Sequence, residues 1–276
     1  MSTTSIKTLG ELKASGYEFK TVTEELRVNL SQKLQSGEKV FENIIGYDDT
    51  VIPELERAVL AGHSINFLGL RGQGKTKIAR LLVQLLDEYV PVIKGSALNE
   101  DPLFPLTTAS KKLVAEKGDD TPVTWWHRSE RYAEKLATPD VNIADLVGDI
   151  DPIKAANLKL SLSDEEVINY GIIPRSNRGI FVINELPDLQ PRIQVALFNL
   201  LQEGDLQIRG YKVRIPMDVQ FVFTSNPEDY TNRGSIITPL KDRIQSQIYT
   251  HYPISNLIGR TITKQEVKRQ KGQENI

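Results

Sequence analysis

Residues 69–76, GLRGQGKT, constrain the fold of this 276-residue chain more than any other stretch. They fit the pattern G-x-x-x-x-G-K-[S/T] and follow a short apolar run in SINFLGL. The residues after them predict a helix that carries an apolar face of Ile78, Leu81, Leu82 and Leu85. A strand, a glycine-rich loop and a helix in this order are the local context that a phosphate-binding loop requires.

The residue types of the loop indicate its chemistry. Glycines reach backbone conformations closed to other residues, so successive N–H groups can point inward and bind an anion where a helix begins. Lys75 would then reach the β and γ phosphates of a nucleotide, and the Thr76 hydroxyl would ligate Mg²⁺. The alternative is a glycine turn followed by a solvated lysine. Because no guanine-reading N-K-x-D follows the loop, the sequence favours ATP.

Composition narrows the remaining classes of function. The chain has 34 basic and 36 acidic residues, and this near-neutral balance argues against a dedicated nucleic-acid coat. It contains no cysteine, which excludes disulfides, thiolate metal sites and cysteine nucleophiles. No stretch has the apolar length of a signal-peptide core or a membrane span. We therefore expect a cytoplasmic protein with neither a membrane nor a nucleic-acid partner.

Periodicity along the rest of the chain predicts an α/β fold. A helix is predicted in FENIIGYDDTVIPELERAVLAG, ending at Gly62. Apolar runs predict strands at YVPVI, GIFVI, VQFVFTS and SQIYTHY, and helical patterns such as PRIQVALFNLLQEG separate them. This alternation predicts a mainly parallel sheet with helices on both faces. GDLQIRGYKVRIP predicts a β-hairpin that turns near residues 209–211. Residues 95–178 predict loops and short helices.

The same patterns divide the chain into three parts. Residues 1–40 are polar with scattered leucines and predict an N-terminal helical extension. Residues 41–255 hold the α/β domain with the phosphate-binding loop. Residues 256–276 predict a polar tail or the start of a further helical unit. The last dozen residues are almost wholly polar, and we expect them to be frayed or disordered.

Further candidate residues lie at the ends of two downstream strands. GIFVINE predicts a buried strand followed by Asn184 and Glu185, where a phosphate-handling enzyme usually has Asp and then Glu. Asn226 follows VQFVFTS, where its amide could hold an attacking water, and Arg243 lies in PLKDRI. Each has an ordinary alternative: a solvated loop carboxylate for Glu185, a turn residue for Asn226 and a surface salt bridge for Arg243.

The order of these motifs resembles the AAA+ ATPases, in particular the magnesium chelatase I-subunit and MoxR-like branch. The resemblance is carried by IIGYDD, the glycine-rich loop, ADLVGDIDP, RGIFVINELPDL, TSNPEDY and PLKDRI, all within residues 40–255. It implies a P-loop core with a mainly parallel five-stranded sheet, helices on both faces and a β-hairpin insertion. GDLQIRGYKVRIP and DLVGDIDPIKAANLKL match two insertions that face the pore of a ring or its partners.

The resemblance also implies a role for each matching position. The Walker A loop and the adenine pocket would be formed by Gly69, Gly72, Gln73, Gly74, Lys75, Thr76, Ile44, Ile45 and Gly46. Asn184 and Glu185 match the Walker B pair: Thr76 would ligate Mg²⁺, Asn184 would hold it through water, and Glu185 would polarise the attacking water. Asn226 matches sensor 1. Arg243 matches the arginine finger that reaches the ATP of a neighbour, which implies a homo-oligomeric ring, a hexamer by resemblance.

Two departures from the family pattern bear on activity. The chain holds few residues after 255, so we expect the C-terminal helical lid to be largely absent. Asn184 carries no charge, so Mg²⁺ binding should weaken while nucleotide binding persists. We expect an ATPase, slowed by Asn184, that remodels or assembles a protein partner. The alternatives are a non-hydrolysing nucleotide switch or scaffold and an activator of the alternative sigma factor, although GDIDPIKAANL stands where such activators carry Gly-Ala-Phe-Thr-Gly-Ala.

Overall fold

The computed structural model describes residues 3–162, 164–208, 214–227 and 235–267. Its α-helices are α1 (Leu9–Ala14), α2 (Val22–Ser36), α3 (Val51–Ala61), α4 (Lys75–Leu81), α5 (Thr108–Lys117), α6 (Ile143–Leu146), α7 (Pro152–Leu158), α8 (Ile172–Arg175), α9 (Pro191–Glu203), α10 (Thr238–Lys241) and α11 (Asn256–Glu266). Its strands are β1 (Ile65–Leu68), β2 (Tyr89–Ile93), β3 (Val123–His127), β4 (Tyr132–Leu136), β5 (Gly148–Ile150), β6 (Ile168–Tyr170), β7 (Gly179–Asn184), β8 (Asp205–Leu206), β9 (Ile215–Pro216), β10 (Val219–Ser225) and β11 (Ser246–Tyr249).

Within these ranges five parallel strands form a central sheet in the order β11-β1-β10-β7-β4. Leu68 of β1 pairs with Ser225 of β10, and Ile183 of β7 pairs with Phe223 of β10. The carboxyl ends of these three strands therefore meet at one edge of the sheet, where the glycine-rich loop leaves β1. The mainly parallel five-stranded α/β sheet expected from the sequence is confirmed.

Alternate residues of the central strands face two separate cores. Ile180 and Val182 of β7 pack with α2, α3 and α4 on one face, whereas Phe181 and Ile183 pack with α9 on the other. All four side chains are at most 1% exposed. A strand covered by helices on both faces requires such a continuous apolar run. The strand that ends at the predicted Walker B pair is thus fixed from both sides.

One strand of the central sheet differs from the strands that the apolar runs predict. YVPVI does form a strand, β2, but it pairs antiparallel with β3 in a separate two-stranded sheet. The place beside β7 is taken by β4, YAEKL, in the segment for which we predicted loops and short helices. Four of its five residues are half-buried. Because β4 lies at the edge of the sheet, its sequence lacks the apolar run of a central strand.

Two antiparallel pairs lie at the predicted insertions. β5 pairs with β6, and α7 lies between them in the chain. β8 pairs with β9 as the predicted hairpin, whose turn near residues 209–211 lies outside the described ranges. In α7 the side chain of Ile153 is 73% exposed. The first insertion therefore presents an apolar side chain to solvent.

The helices near the two ends of the chain pack onto the α/β layers. α2 begins with a capping box of Thr21 and Glu24, and its Leu26 and Leu30 join the core on one face of the sheet. α11 lies beside the glycine-rich loop. Of the last dozen residues, where we expect a frayed tail, the first two belong to α11, and residues 268–276 lie outside the described ranges. Of the helices that the structure describes, none has the length and apolar character to cross a membrane.

Candidate nucleotide-binding site

The glycine-rich loop is held against the carboxyl edge of the sheet. The Gly69 N–H donates to the carbonyl oxygen of Ser225 at 3.1 Å, which joins the start of the loop to β10. A Cβ at Gly69 would lie 1.9 Å from the hydroxyl oxygen of Thr250, so a larger residue does not fit. Gly72 and Gly74 have φ values of 78° and 75°, which glycine adopts without strain. The sequence thus builds a tight turn directly before α4.

Two side chains of the loop, those of Lys75 and Gln73, are buried and form hydrogen bonds close to the loop. Lys75 is 7% exposed, and its Nζ donates to the carbonyl oxygens of Gly69 and, at 2.8 Å, of Leu70. The Gln73 Oε1 accepts a hydrogen bond from the Thr250 hydroxyl at 2.7 Å. A lysine that merely follows a glycine turn would extend into solvent, so this burial favours the phosphate-binding interpretation. Phosphate oxygens can replace the loop carbonyls as acceptors for the ammonium group.

A cavity of about 280 Å³ opens beside the loop, close to the lower limit of about 300 Å³ for ligand pockets. Its walls include the predicted adenine residues Ile44, Ile45 and Gly46 together with Gly72, Gln73 and Gly74 of the loop. α11 closes another side, because the Gln265 Nε2 donates to the Asn43 carbonyl oxygen at 3.0 Å and Lys77 pairs with Glu266. The cavity therefore has the place and size for a purine base.

The structure brings the two predicted metal residues together. The Thr76 hydroxyl donates to the Asn184 Oδ1 at 3.2 Å, and the Thr224 hydroxyl donates to the same oxygen, also at 3.2 Å. Thr76 and Asn184 are both half-buried. Mg²⁺ prefers oxygen ligands and usually keeps several waters. A hydroxyl and an amide oxygen 3.2 Å apart fit that requirement, although neither contributes a charge.

Glu185 has an unusual backbone conformation just after β7. Its φ of 58° and ψ of 50° lie in the left-handed region, which costs a residue with a Cβ roughly 1–2 kcal/mol. The Glu185 N–H donates to the Thr224 Oγ1 at 3.1 Å, and the side chain is half-buried. A solvated glutamate at a loop entry would not need this conformation. The strained residue is one that the surrounding structure holds in place.

Asn226 lies at the same edge of the sheet. It directly follows β10, which runs between β1 and β7, and it is 3% exposed. The preceding Ser225 accepts the hydrogen bond from Gly69 through its carbonyl oxygen and donates to the Asn66 Oδ1 through its hydroxyl, at 3.0 Å. Asn226 is therefore placed between the glycine-rich loop and the end of β7.

Arg243 lies away from these residues and is exposed. It follows α10, and its Nε donates to the Gln202 Oε1 of α9 at 3.2 Å. The guanidinium group lies over the ring of Phe198, also on α9, at 5.5 Å from the ring centroid. These contacts hold the side chain on an outer surface, where a second protein chain can reach it.

Three residues that the sequence analysis does not single out support the site. The Tyr47 hydroxyl donates to the carbonyl oxygens of Gln73 at 2.9 Å and His251 at 2.7 Å, and burial raises the pKa of this hydroxyl. Thr250 fixes the Gln73 side chain, and Thr224 fixes the end of β7. Thr224 has a sequence signal, since it is a polar residue in the apolar run VQFVFTS. Tyr47 and Thr250 meet the loop only through the tertiary fold.

Known proteins match the chain in part. The model of the Sigma-54 interaction domain matches residues 162–247, a segment that includes β7 and β10 but not the glycine-rich loop. The magnesium-chelatase 38 kDa subunit of Cereibacter sphaeroides is 25% identical over 188 residues, 67% of this chain and 50% of that protein. Its namesake in Rhodobacter capsulatus is 25% identical over 207 residues, 74% of this chain and 53% of that protein. The chain spans about half the length of these curated relatives.

Solved structures share the fold. A chain of the magnesium chelatase complex of BchI and BchD has a TM-score of 0.54 at 21% identity, covering 83% of this chain and 66% of that one. A crystal structure of a candidate ATPase from Cytophaga hutchinsonii has a TM-score of 0.50 at 16% identity, covering 92% and 58% respectively. At these identities the likeness shows the fold alone.

Proposed function

We propose that this chain binds ATP with Mg²⁺ and hydrolyses it. The chain has an AAA+ core fold, and its matches support an AAA+ ATPase related to magnesium chelatase. The observation that carries the proposal is the meeting of four features at one edge of the sheet. They are the buried Lys75, the Thr76–Asn184 pair, the strained Glu185 and Asn226. The glycine-rich loop directly before Lys75 also lines a cavity sized for a base. Phosphoryl transfer needs such positioned donors and charges more than covalent chemistry.

Each residue has a separate task in this proposal. Lys75 would neutralise phosphate oxygens, the Thr76 hydroxyl would ligate Mg²⁺, and Asn184 would hold the metal indirectly, because its amide oxygen accepts the hydrogen of that hydroxyl. When bound, Mg²⁺ supplies positive charge at the β and γ phosphates. Glu185 polarises the attacking water, and the side-chain amide of Asn226 orients it. Ile44, Ile45 and Gly46 enclose the adenine.

Arg243 completes the site of a neighbouring copy. Its exposed side chain, held against α9 by Gln202 and Phe198, supports a role outside its own subunit. An arginine supplied in this way stabilises charge in the transition state and can raise the rate by about 10³-fold or more. Repeating this head-to-tail contact closes a ring, for which we propose a hexamer.

The work driven by hydrolysis is the remodelling or assembly of a protein partner, in the manner of the magnesium chelatase or MoxR-like proteins. The β5–α7–β6 insertion supports this proposal, since it presents the apolar side chain of Ile153 to solvent, where a partner could cover it. Metal insertion into a porphyrin would require further subunits.

Two other functions have a specific observation behind them. A non-hydrolysing nucleotide switch is favoured by Asn184, which gives the metal no charge. An activator of the alternative sigma factor is favoured by the family match at residues 162–247. That match leaves out residues 148–158, GDIDPIKAANL, where the activator signature would stand. It therefore supports the shared AAA+ core more than contact with a sigma factor.

ATP binding to purified protein, followed by calorimetry, tests the nucleotide site. Lys75→Ala should weaken ATP binding by roughly 10- to 100-fold, the effect of losing a hydrogen bond to a charged group. Lys111→Ala removes the same charge from the exposed face of α5 and is the matched control. Equal ATP affinity of the two variants would exclude the loop as the nucleotide site.

A further inference from the structure

A continuous chain of hydrogen bonds connects the threonine of the glycine-rich loop to the glutamate after β7. The Glu185 N–H donates to the Thr224 Oγ1 at 3.1 Å, and the Thr224 hydroxyl donates to the Asn184 Oδ1 at 3.2 Å. The Thr76 hydroxyl donates to the same amide oxygen at 3.2 Å. The donors and acceptors are consistent, since a hydroxyl can accept one hydrogen while it donates its own, and an amide oxygen can accept two.

Thr224, at the middle of this series of hydrogen bonds, is held rigidly by its surroundings. It is 1% exposed and lies on β10, the strand between β1 and β7. Its Oγ1 accepts a hydrogen bond from the N–H of Glu185, whose φ of 58° is a conformation that residues with a Cβ avoid. A buried donor and acceptor at this point can therefore fix the direction in which the glutamate leaves the strand.

We propose that Thr224 is a positioning residue for ATP hydrolysis, acting through Glu185 and Asn184; this rests on the proposed ATPase function. Toward Glu185 the hydroxyl holds the backbone from which the carboxylate reaches the water. Toward Asn184 it donates its hydrogen, so the amide presents its oxygen, not its nitrogen, to Thr224 and Thr76. The hydrogen of Thr76 then points to Asn184, which leaves the lone pairs of the Thr76 oxygen directed elsewhere, as metal ligation requires.

This arrangement gives a reason why an asparagine can occupy the Walker B position. The hydrogen bonds around position 184 need an oxygen acceptor, and the amide has one. Its missing charge lowers the attraction for Mg²⁺, but the acceptor geometry toward Thr76 and Thr224 is kept. Thr224 thus fixes the orientation of the Asn184 amide, so that its oxygen accepts the hydrogen bond from Thr76 as a carboxylate oxygen would.

The test compares Thr224→Val, which removes the hydroxyl at nearly constant shape, with Thr224→Ser, which keeps it. Ser225→Ala is the matched control, because Ser225 is the next residue of β10, is fully buried and donates its hydroxyl to Asn66 instead. For each variant kcat and KM for ATP are measured, and the Thr224→Val change is repeated in a Glu185→Gln background. Hydrogen exchange of the Glu185 amide is measured in the nucleotide-free protein.

We expect Thr224→Val to lower kcat on the order of 10- to 100-fold while KM changes little, as for a misplaced catalytic group. Thr224→Ser should keep kcat near the native value. In the Glu185→Gln background, Thr224→Val should not lower kcat further. The Glu185 amide should lose exchange protection in Thr224→Val and regain it in Thr224→Ser. An unchanged kcat, or an equal loss in the Glu185→Gln background, would overturn the proposal.

The exchange measurement separates this proposal from the proposed function. If the native protein does not hydrolyse ATP, the ATPase function fails, and the protection of the Glu185 amide decides the role of Thr224 alone. Unchanged protection in Thr224→Val would show that Thr224 does not hold Glu185. If Ser225→Ala also removed the exchange protection of the Glu185 amide, the loss would reflect a general loosening of β10. That result would also overturn the specific role of Thr224.

Discussion

At the level of single residues, the proposed metal site differs from the expected one at Asn184, which stands where a carboxylate is usual. Its Oδ1 accepts hydrogen bonds from Thr76 and Thr224, as a carboxylate oxygen would. An amide lacks the negative charge, however, and a unit charge about 4 Å from another contributes about 1–4 kcal/mol depending on the solvent exposure of the pair. The proposed metal site therefore keeps an oxygen acceptor at position 184 but should attract a divalent cation less strongly than a site with a carboxylate.

Restoring the charge should change the metal dependence of ATP turnover. In Asn184→Asp the Mg²⁺ concentration for half-maximal turnover should fall by roughly tenfold or more, since the new carboxylate attracts the metal. ATP binding without Mg²⁺ should change little, because Lys75 and the loop are untouched. Turnover is measured across a Mg²⁺ series for the native protein and the variant. Superimposable curves would remove position 184 from metal binding.

The sequence locates the parts of this site that are close together in the chain. Lys75 and Thr76 belong to one contiguous motif, and Asn184 and Glu185 end one apolar strand, so local patterns are enough to find them. Tyr47 and Thr250 lie far from Gln73 in sequence and bond to it through the fold. No local pattern marks such contacts. The role of each site residue remains a prediction until it is measured.

At the level of secondary structure, burial explains which elements can be predicted. The strands β1, β7 and β10 are covered on both faces, and each has the apolar run that reveals it. β4 has one strand neighbour and half-buried side chains, so YAEKL gives no such signal. β2 has an apolar run, but its pairing with β3 depends on the tertiary fold. Local patterns predict that a buried strand exists more readily than which sheet it joins.

The helix α2 is attached to the sheet through buried charges. The Val22 N–H at its start donates to both carboxylate oxygens of Asp218, at 3.0 and 2.9 Å. Glu25 of the same helix forms a buried ion pair with Arg131 at 2.6 Å. Burial raises the pKa of Asp218 from 3.8 to about 6, although Val22 and the charges of Arg178 and Arg131 oppose the rise and Glu25 adds to it. The attachment of α2 should therefore depend on pH.

Asp218 should make the folded chain less stable as pH rises from about 4 to about 6. The folded state holds a proton there that the unfolded state has already released, so the stabilising contribution is full below pH 4 and is lost through pH 6. A pKa difference of this size corresponds to up to about 3 kcal/mol. In Asp218→Asn this part of the pH dependence should vanish. Urea unfolding at pH 4, 5, 6 and 7 measures it, and parallel pH profiles of both proteins would contradict the assignment.

At the level of the whole molecule, the proposed active site needs two copies of the chain. Lys75, Thr76, Asn184 and Glu185 lie together in one copy, whereas the exposed Arg243 lies after α10 and packs against the surface of α9. An arginine that acts in a neighbouring subunit makes assembly a condition for fast hydrolysis. The loop side of one copy would then face the α9 side of the next, which is a head-to-tail contact that closes into a ring.

Mixing two inactive variants tests this sharing of residues. Arg243→Ala keeps its own loop and Glu185, and Glu185→Gln keeps Arg243, so a mixed interface can combine the intact halves. Each variant alone should lose turnover, by about 10³-fold for Arg243→Ala. Mixtures should regain activity in proportion to the mixed interfaces. Mixtures that stay as inactive as their components would show that Arg243 does not act between subunits.

ATP turnover of Glu185→Gln, measured beside ATP binding, tests the proposed role of Glu185 in hydrolysis most directly. Glutamine keeps the size of the side chain but cannot polarise the attacking water as a carboxylate does. We predict that the variant binds ATP as tightly as the native protein and that its turnover rate is lower by about 100-fold or more. Turnover by Glu185→Gln at the native rate would contradict the claim.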